Sequence, residues 1–167
     1  MKTPMTLILI ALFSILVPWT AWGATADAMV VFSGKTEVNR RAYNWIHEVF
    51  QKNNIGYSLA ATLDPSSVKP GQYKTVVVVN TGTTSGVDPV LQKFINGFND
   101  KKDLYLINLF RNSGDLTVTS FTAGSSPEGV DGVSAASTWR SAWMDGQDVR
   151  KMHLTWVADL IMFLGRA

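Results

Sequence analysis

The sequence predicts one α/β domain in which a mostly parallel sheet lies between two layers of helices. Short apolar runs alternate with segments of helical periodicity, and one run, Val76-Val77-Val78-Val79, is apolar on both faces of the pleat. Loops rich in Gly, Ser and Thr follow those runs. A strand apolar on both faces belongs in a parallel sheet covered on both sides, and strand-helix alternation builds such layers.

Met1 to Gly23 carries Lys2, then an apolar run from Leu7 to Val17 broken only by Ser14, then Pro18 and small residues. That is the layout of a secretory leader. Cleavage fits after Gly23 or as late as Ala26, because Ala21-Trp22-Gly23 and Ala24-Thr25-Ala26 both set small residues two apart. The apolar run falls short of the ~20 residues a spanning helix needs, so a membrane is met only through an uncleaved leader. The expected location is periplasmic or secreted, and the domain is residues 24–167.

Within it, Ala28 to Phe32 reads as a buried strand entering Ser33-Gly34. Val38, Ala42, Ile46, Val49 and Phe50 recur at spacings of three and four, which predicts an amphipathic helix over Glu37 to Lys52, ended by Asn53-Asn54 and Gly56. Ile55 to Thr62 is the second strand, and Asp64 to Gly71, with two prolines, is turn. Lys74 to Asn80 is the centre of the sheet. Asp88 then caps a helix with Pro89 in its first turn, where the missing N–H is harmless, and Val87, Val90, Leu91, Phe94, Ile95 and Phe98 are its buried stripe.

Asp103 to Phe110 is the fourth strand, and Val149 to Leu164 the closing helix. Leu116 to Phe121 alternates like an edge strand, but the five residues from Arg111 to Asp115 cannot make a parallel crossover. It must pair antiparallel as a hairpin or leave the sheet. The expected strand order is 2-1-3-4, with a possible fifth edge strand.

Composition narrows the chemistry. Fifteen basic residues against 13 acidic ones, with no basic run, do not supply the clustered cations that phosphate backbones demand, so no nucleic-acid partner is expected. The absence of cysteine removes disulfides, thiolate catalysis, iron-sulfur ligation and c-type haem. His47 and His153 each fall in a predicted helix without a second histidine at ligand spacing, so no metal site is expected. Ser33 and Ser85 do not sit in a nucleophile-elbow sequence, and no base and nucleophile are placed together. Redox work would require a borrowed organic cofactor.

Open parallel sheets bind ligands at the carboxyl ends of their strands, where the strand order reverses. The loops there are Ser33-Gly34-Lys35-Thr36, Asn80 to Gly86 with Thr81, Gly82 and Thr83, and Arg111 to Asp115 with Gly114-Asp115. The first offers hydroxyls, a helix N-terminus and the charge of Lys35, which is what a phosphate requires. Phe32-Ser33 with Thr36 resembles the flavin-phosphate loop of the flavodoxins, and the strand and helix pattern resembles that family over most of the domain. The resemblance implies a three-layer flavodoxin-like fold, FMN as cofactor, and electron transfer with a redox partner protein. The chain departs from the family at Glu37, an acid where a small residue belongs, in lacking the second loop glycine, and in lacking Trp or Tyr in the second loop to stack on the flavin. A flavin-free binding or assembly module on the same fold is the alternative.

A second segment, Asp131-Gly132-Val133-Ser134-Ala135-Ala136-Ser137, resembles the attachment signal of flavin transferases, in which a final hydroxyl is esterified to FMN phosphate. The resemblance implies covalent flavin on Ser137, with Asp131 at the head of the motif and a flavin transferase as partner. Ala135 stands where Gly is usual, and Ser137 where Thr is commoner. On its own chemistry the segment reads as an exposed loop of small residues or as a helix over Val133 to Trp143 capped by Asp131. Trp139 and Trp143 then fall at i, i+4, either flanking a flavin or filling a core.

Overall fold

The computed structural model describes residues 26–53, 55–81, 86–111, 117–121, 124–137 and 158–165. The expected leader, the loop residues Gly82, Thr83, Gly114 and Asp115, the pair Trp139 and Trp143, His153 and the first part of the expected closing helix lie outside the described residues.

The chain order is β1 (Ala28–Phe32), α1 (Glu37–Lys52), β2 (Leu59–Thr62), a 3-10 turn (Pro65–Ser67), β3 (Thr75–Thr81), α2 (Pro89–Asn96), β4 (Leu104–Arg111), β5 (Thr117–Phe121) and β6 (Asp131–Ser137), with a further helix over 158–164. The six strands form one sheet in the order β2-β1-β3-β4-β6-β5, parallel except for β5. This is a three-layer α/β fold with the expected 2-1-3-4 order and an antiparallel edge strand.

Each element follows from its residues. Thr36 caps α1, its Oγ1 accepting from the N–H of Asn39 at 3.0 Å. Asp88 caps α2 in the same way, accepting from the N–H of Val90 at 2.8 Å with Pro89 at the first helical position. Asp64 caps the 3-10 turn. Before the sheet begins, Asp27 donates its N–H to Ser58 O, accepts the N–H of Lys74 and holds the Lys74 ammonium at 2.8 Å, which aligns the starts of β1, β2 and β3.

The pleat sorts the side chains into two cores. Val30, Val77, Val79, Tyr105, Ile107 and Val133 face α1 and the closing helix, packing on Ile46, Val49 and Leu160. Val31, Val76, Val78, Leu104 and Leu106 face α2, packing on Leu91, Ile95 and Phe98. Val76 to Val79 are at most 2 % exposed and paired on both sides, by β1 and by β4, so the valine run is mid-sheet.

Two expectations are corrected. Asp131 to Ser137 is neither an exposed loop nor a helix: it is β6, parallel to β4 on one side and antiparallel to β5 on the other. The edge strand β5 is antiparallel as expected, but its partner is β6, which fills the place beside β4. Passing out to the edge and returning by a hairpin lets the chain lay a second strand parallel to β4 without a crossover helix.

Gly132 is required for that insertion. It pairs with Leu106, and a Cβ at this position would strike the Leu106 carbonyl oxygen and lie 2.8 Å from its carbonyl carbon and 2.9 Å from its nitrogen.

Candidate functional site

The carboxyl ends of β1, β3, β4 and β6 share one rim of the sheet, and the order reverses between β1 and β3. Ser33 and Gly34 leave β1 half-buried, while Lys35 and Thr36 are exposed at the start of α1. Thr81, at the end of β3, is half-buried across the same gap. The structure therefore brings Ser33, Gly34, Lys35, Thr36 and Thr81 to the switch point, as the strand pattern requires.

Asn39 joins the two loops. It is 4 % exposed, its Nδ2 donates to Gly34 O at 2.6 Å, and its Oδ1 accepts from the Thr81 hydroxyl at 2.6 Å. Its backbone N–H is the one that Thr36 caps. One asparagine thus fixes the turn after β1, the first turn of α1 and the end of β3. The sequence reading missed it, although Asn at the third helical position after a Thr cap, where the side chain can reach backward, was a legible signal.

A second polar group occupies the α2 side of the rim. Asn80, Asn108 and Ser134 are register partners on β3, β4 and β6, so their side chains project to the same face. Asn80 and Asn108 are 0 % and 1 % exposed, and Ser134 is half-buried. Asn80 accepts the N–H of Asp88 at 2.9 Å and donates to Gly86 O at 3.1 Å and to Asn108 Oδ1 at 3.2 Å. Gly86, at φ +68°, makes the turn that brings its carbonyl back to Asn80.

Asp131 and Ser137 lie at opposite ends of β6. Asp131 pairs with Tyr105 at the amino end, and Ser137 pairs with Arg111 at the carboxyl rim. The motif is therefore drawn out along a strand, and only its last residue reaches the rim.

Near Asp131, the Tyr105 hydroxyl donates to Asp159 Oδ2 at 2.7 Å on the closing helix, and the ring meets Phe163 at 5.1 Å between centroids. Burial, then the bond to Asp159, pushes the Tyr105 phenol well above its ordinary pKa. On α1, His47 stacks with Tyr43 at 6.0 Å, and burial raises the Tyr43 phenol. Among the described residues no group of three or more His, Asp or Glu side chains is placed to hold a metal ion.

No family model matches the chain, and no curated protein or solved structure matches it either.

Proposed function

We propose that this is an extracytoplasmic flavodoxin-like protein that binds FMN at the carboxyl rim and carries electrons between partner proteins. The observation that carries this reading is the latch at the switch point. Asn39 holds the Ser33 to Thr36 turn against Thr81, so the first-turn N–H groups of α1 face the rim beside Lys35 in a loop whose shape is already set. Preset backbone donors at a helix N-terminus suit a phosphate, and a ligand meeting a formed loop loses less in ordering it. The residues fit the group: Thr36 Oγ1 accepts its cap bond and retains its own proton for a phosphate oxygen, and Lys35 supplies the charge. Bound flavin would supply the one- and two-electron chemistry. Thr81 and the rim ends of β4 and β6 would border it.

Ser137, where β6 reaches the rim, is the residue for covalent attachment under this reading. Flavin absorbance of the purified protein, persisting after acid precipitation where the bond is covalent, is the primary test. Thr36→Ala should weaken non-covalent FMN binding, and an unchanged affinity removes that loop from the site. Where the flavin is covalent, Ser137→Ala must abolish the label.

One observation favours the alternative, a flavin-free binding or assembly module. Both amide atoms of Asn39 are occupied by Gly34 O and Thr81 Oγ1, so part of the rim's polar surface is satisfied within the protein. A colourless protein that takes up no added FMN would establish that second reading over the first.

A further inference from the structure

β2 ends the sheet on one side and pairs only with β1. The Ala28 N–H donates to Ser58 O, so in a parallel ladder the backbone groups of Ser58, Ala60 and Thr62 turn toward β1 and those of Leu59 and Ala61 turn outward. Among the described residues the N–H and C=O groups of Leu59 and Ala61 have no partner. Sheet edges are ordinarily blunted by a charged side chain, a proline or a bulge. From Ile55 to Leu63 the chain has no charged residue and no proline, and the register of β2 on β1 runs without a bulge.

The side chains of this run complement their own reverse order. When a second copy is turned antiparallel about Ala60, Leu59 falls opposite Ala61 of that copy, Tyr57 opposite Leu63, and Ser58 opposite Thr62. Large then meets small, apolar meets apolar, and hydroxyl meets hydroxyl, which are the cross-strand pairs that hold antiparallel strands together. Tyr57, Leu59, Ala61 and Leu63 are half-buried against the α1-side core, so the pairing extends that core past the edge. A self-matching contact also sets like charge against like, and an uncharged run carries no such repulsion.

We infer that β2 is a dimerisation edge: two copies of this chain pair antiparallel through β2 about a two-fold axis at Ala60, joining their sheets into one. Leu59 and Ala61 of the second copy exchange both backbone bonds, and the symmetry repeats the exchange on the other side of the axis. A strand edge this short is smaller than a permanent interface, which sets the expected affinity in the micromolar range.

The chain has no cysteine, so a single introduced one reports its own neighbours. Ala60 would meet itself across the axis as a non-hydrogen-bonded pair, with Cα atoms about 4.5 Å apart, inside the ~4.4–6.8 Å span of a disulfide. Full-length Ala60→Cys should therefore form a covalent dimer in air, whereas Gln92→Cys, exposed on α2, should not. Adding Ala61→Pro removes an outward donor and leaves the ladder with β1 its hydrogen bonds, and it should cut the cross-linked fraction by about tenfold. In the wild type, amide exchange at Leu59 and Ala61 should slow as protein concentration rises, a measurement that decides alone if a variant fails to fold. No dimer from Ala60→Cys, equal cross-linking from Gln92→Cys, a dimer untouched by Ala61→Pro, or exchange at Leu59 and Ala61 independent of concentration overturns the assignment.

Discussion

Replacing Tyr105 by Phe removes one oxygen from the α1-side core and tests how the closing helix is held. Tyr105 is 0 % exposed, its hydroxyl bonds the Asp159 carboxylate at 2.7 Å, and its ring contact with Phe163 survives the change. A hydrogen bond to a charged group contributes about 1.5–3 kcal/mol. Asp159 is only half-buried and can regain water, so the lower figure applies, about 1.5 kcal/mol near neutral pH. The pH dependence is the sharper part. Burial and Asp159 raise the folded-state pKa of Tyr105 above the ordinary 10.0, so its stabilisation is complete below pH 10 and is lost as pH rises, while the unfolded phenol ionises freely. The loss is about 1.4 kcal/mol per pH unit for one proton. Urea unfolding of both proteins across the alkaline range should therefore show the wild-type advantage shrinking above pH 10 and vanishing near pH ~11. Equal stability at neutral pH, or a difference that does not change through pH 10 to 11, would refute the buried Tyr105–Asp159 bond.

The other perturbations are simpler. Gly132→Ala drives a methyl into the Leu106 backbone, which cannot swing aside as a side chain can, so the cost should sit near the top of the overpacking range, about 3 kcal/mol. Faster amide exchange along β4 and β6 would report the site of damage, and unchanged protection would refute the close approach. Thr75 is 0 % exposed, and its hydroxyl has no partner among the described residues. Thr75→Val should therefore raise the urea midpoint, by about 1 kcal/mol of stability, whereas a loss would reveal a bond to that oxygen. In flavin titrations, Thr36→Ala should weaken FMN and leave riboflavin unchanged, because only FMN carries the phosphate; an equal loss for both ligands would place the effect in helix capping alone.

Most of the scaffold was legible because its signals are local. The spacing of Val38, Ala42, Ile46 and Val49 needs only one helix to explain it, and α1 has the expected bounds from Glu37 to Lys52. Val76 to Val79 can be accommodated only where both faces are covered. β6 was hidden because Gly132, Ser134, Ala135, Ala136 and Ser137 have the composition of a loop or helix start rather than of a strand. Gly132 answers a distant fact, the backbone of β4 pressing against β6 at Leu106, which the local sequence does not carry. The pairing of β5 was misassigned for the same reason: the five-residue spacing excluded a parallel neighbour but did not reveal that β6 would occupy the slot between β4 and β5.

The site was legible at its loops and not at its strand ends. Gly, Ser and Thr after β1 advertise a turn, whereas asparagine is ordinarily read as a turn or surface residue. Within Asp103 to Phe110, however, Asn108 shares a face with Leu104 and Leu106, so an alternation count alone marks it as a polar group in a buried row. Asn80 repeats this one strand over, after Val76 and Val78. Because β3, β4 and β6 are parallel, a polar residue near the end of each lines up with the others at the same rim, and the register does place Asn80, Asn108 and Ser134 side by side. In the apolar core lower on the same strands these three side chains would be a defect; at the rim the amides of Asn80 and Asn108 are linked to each other and to the Asp88 N–H before the first turn of α2, with Ser134 beside them on β6. Strand order thus gathers residues more than fifty positions apart into one row, and the one-way polarity of a backbone N–H sets which way that row points.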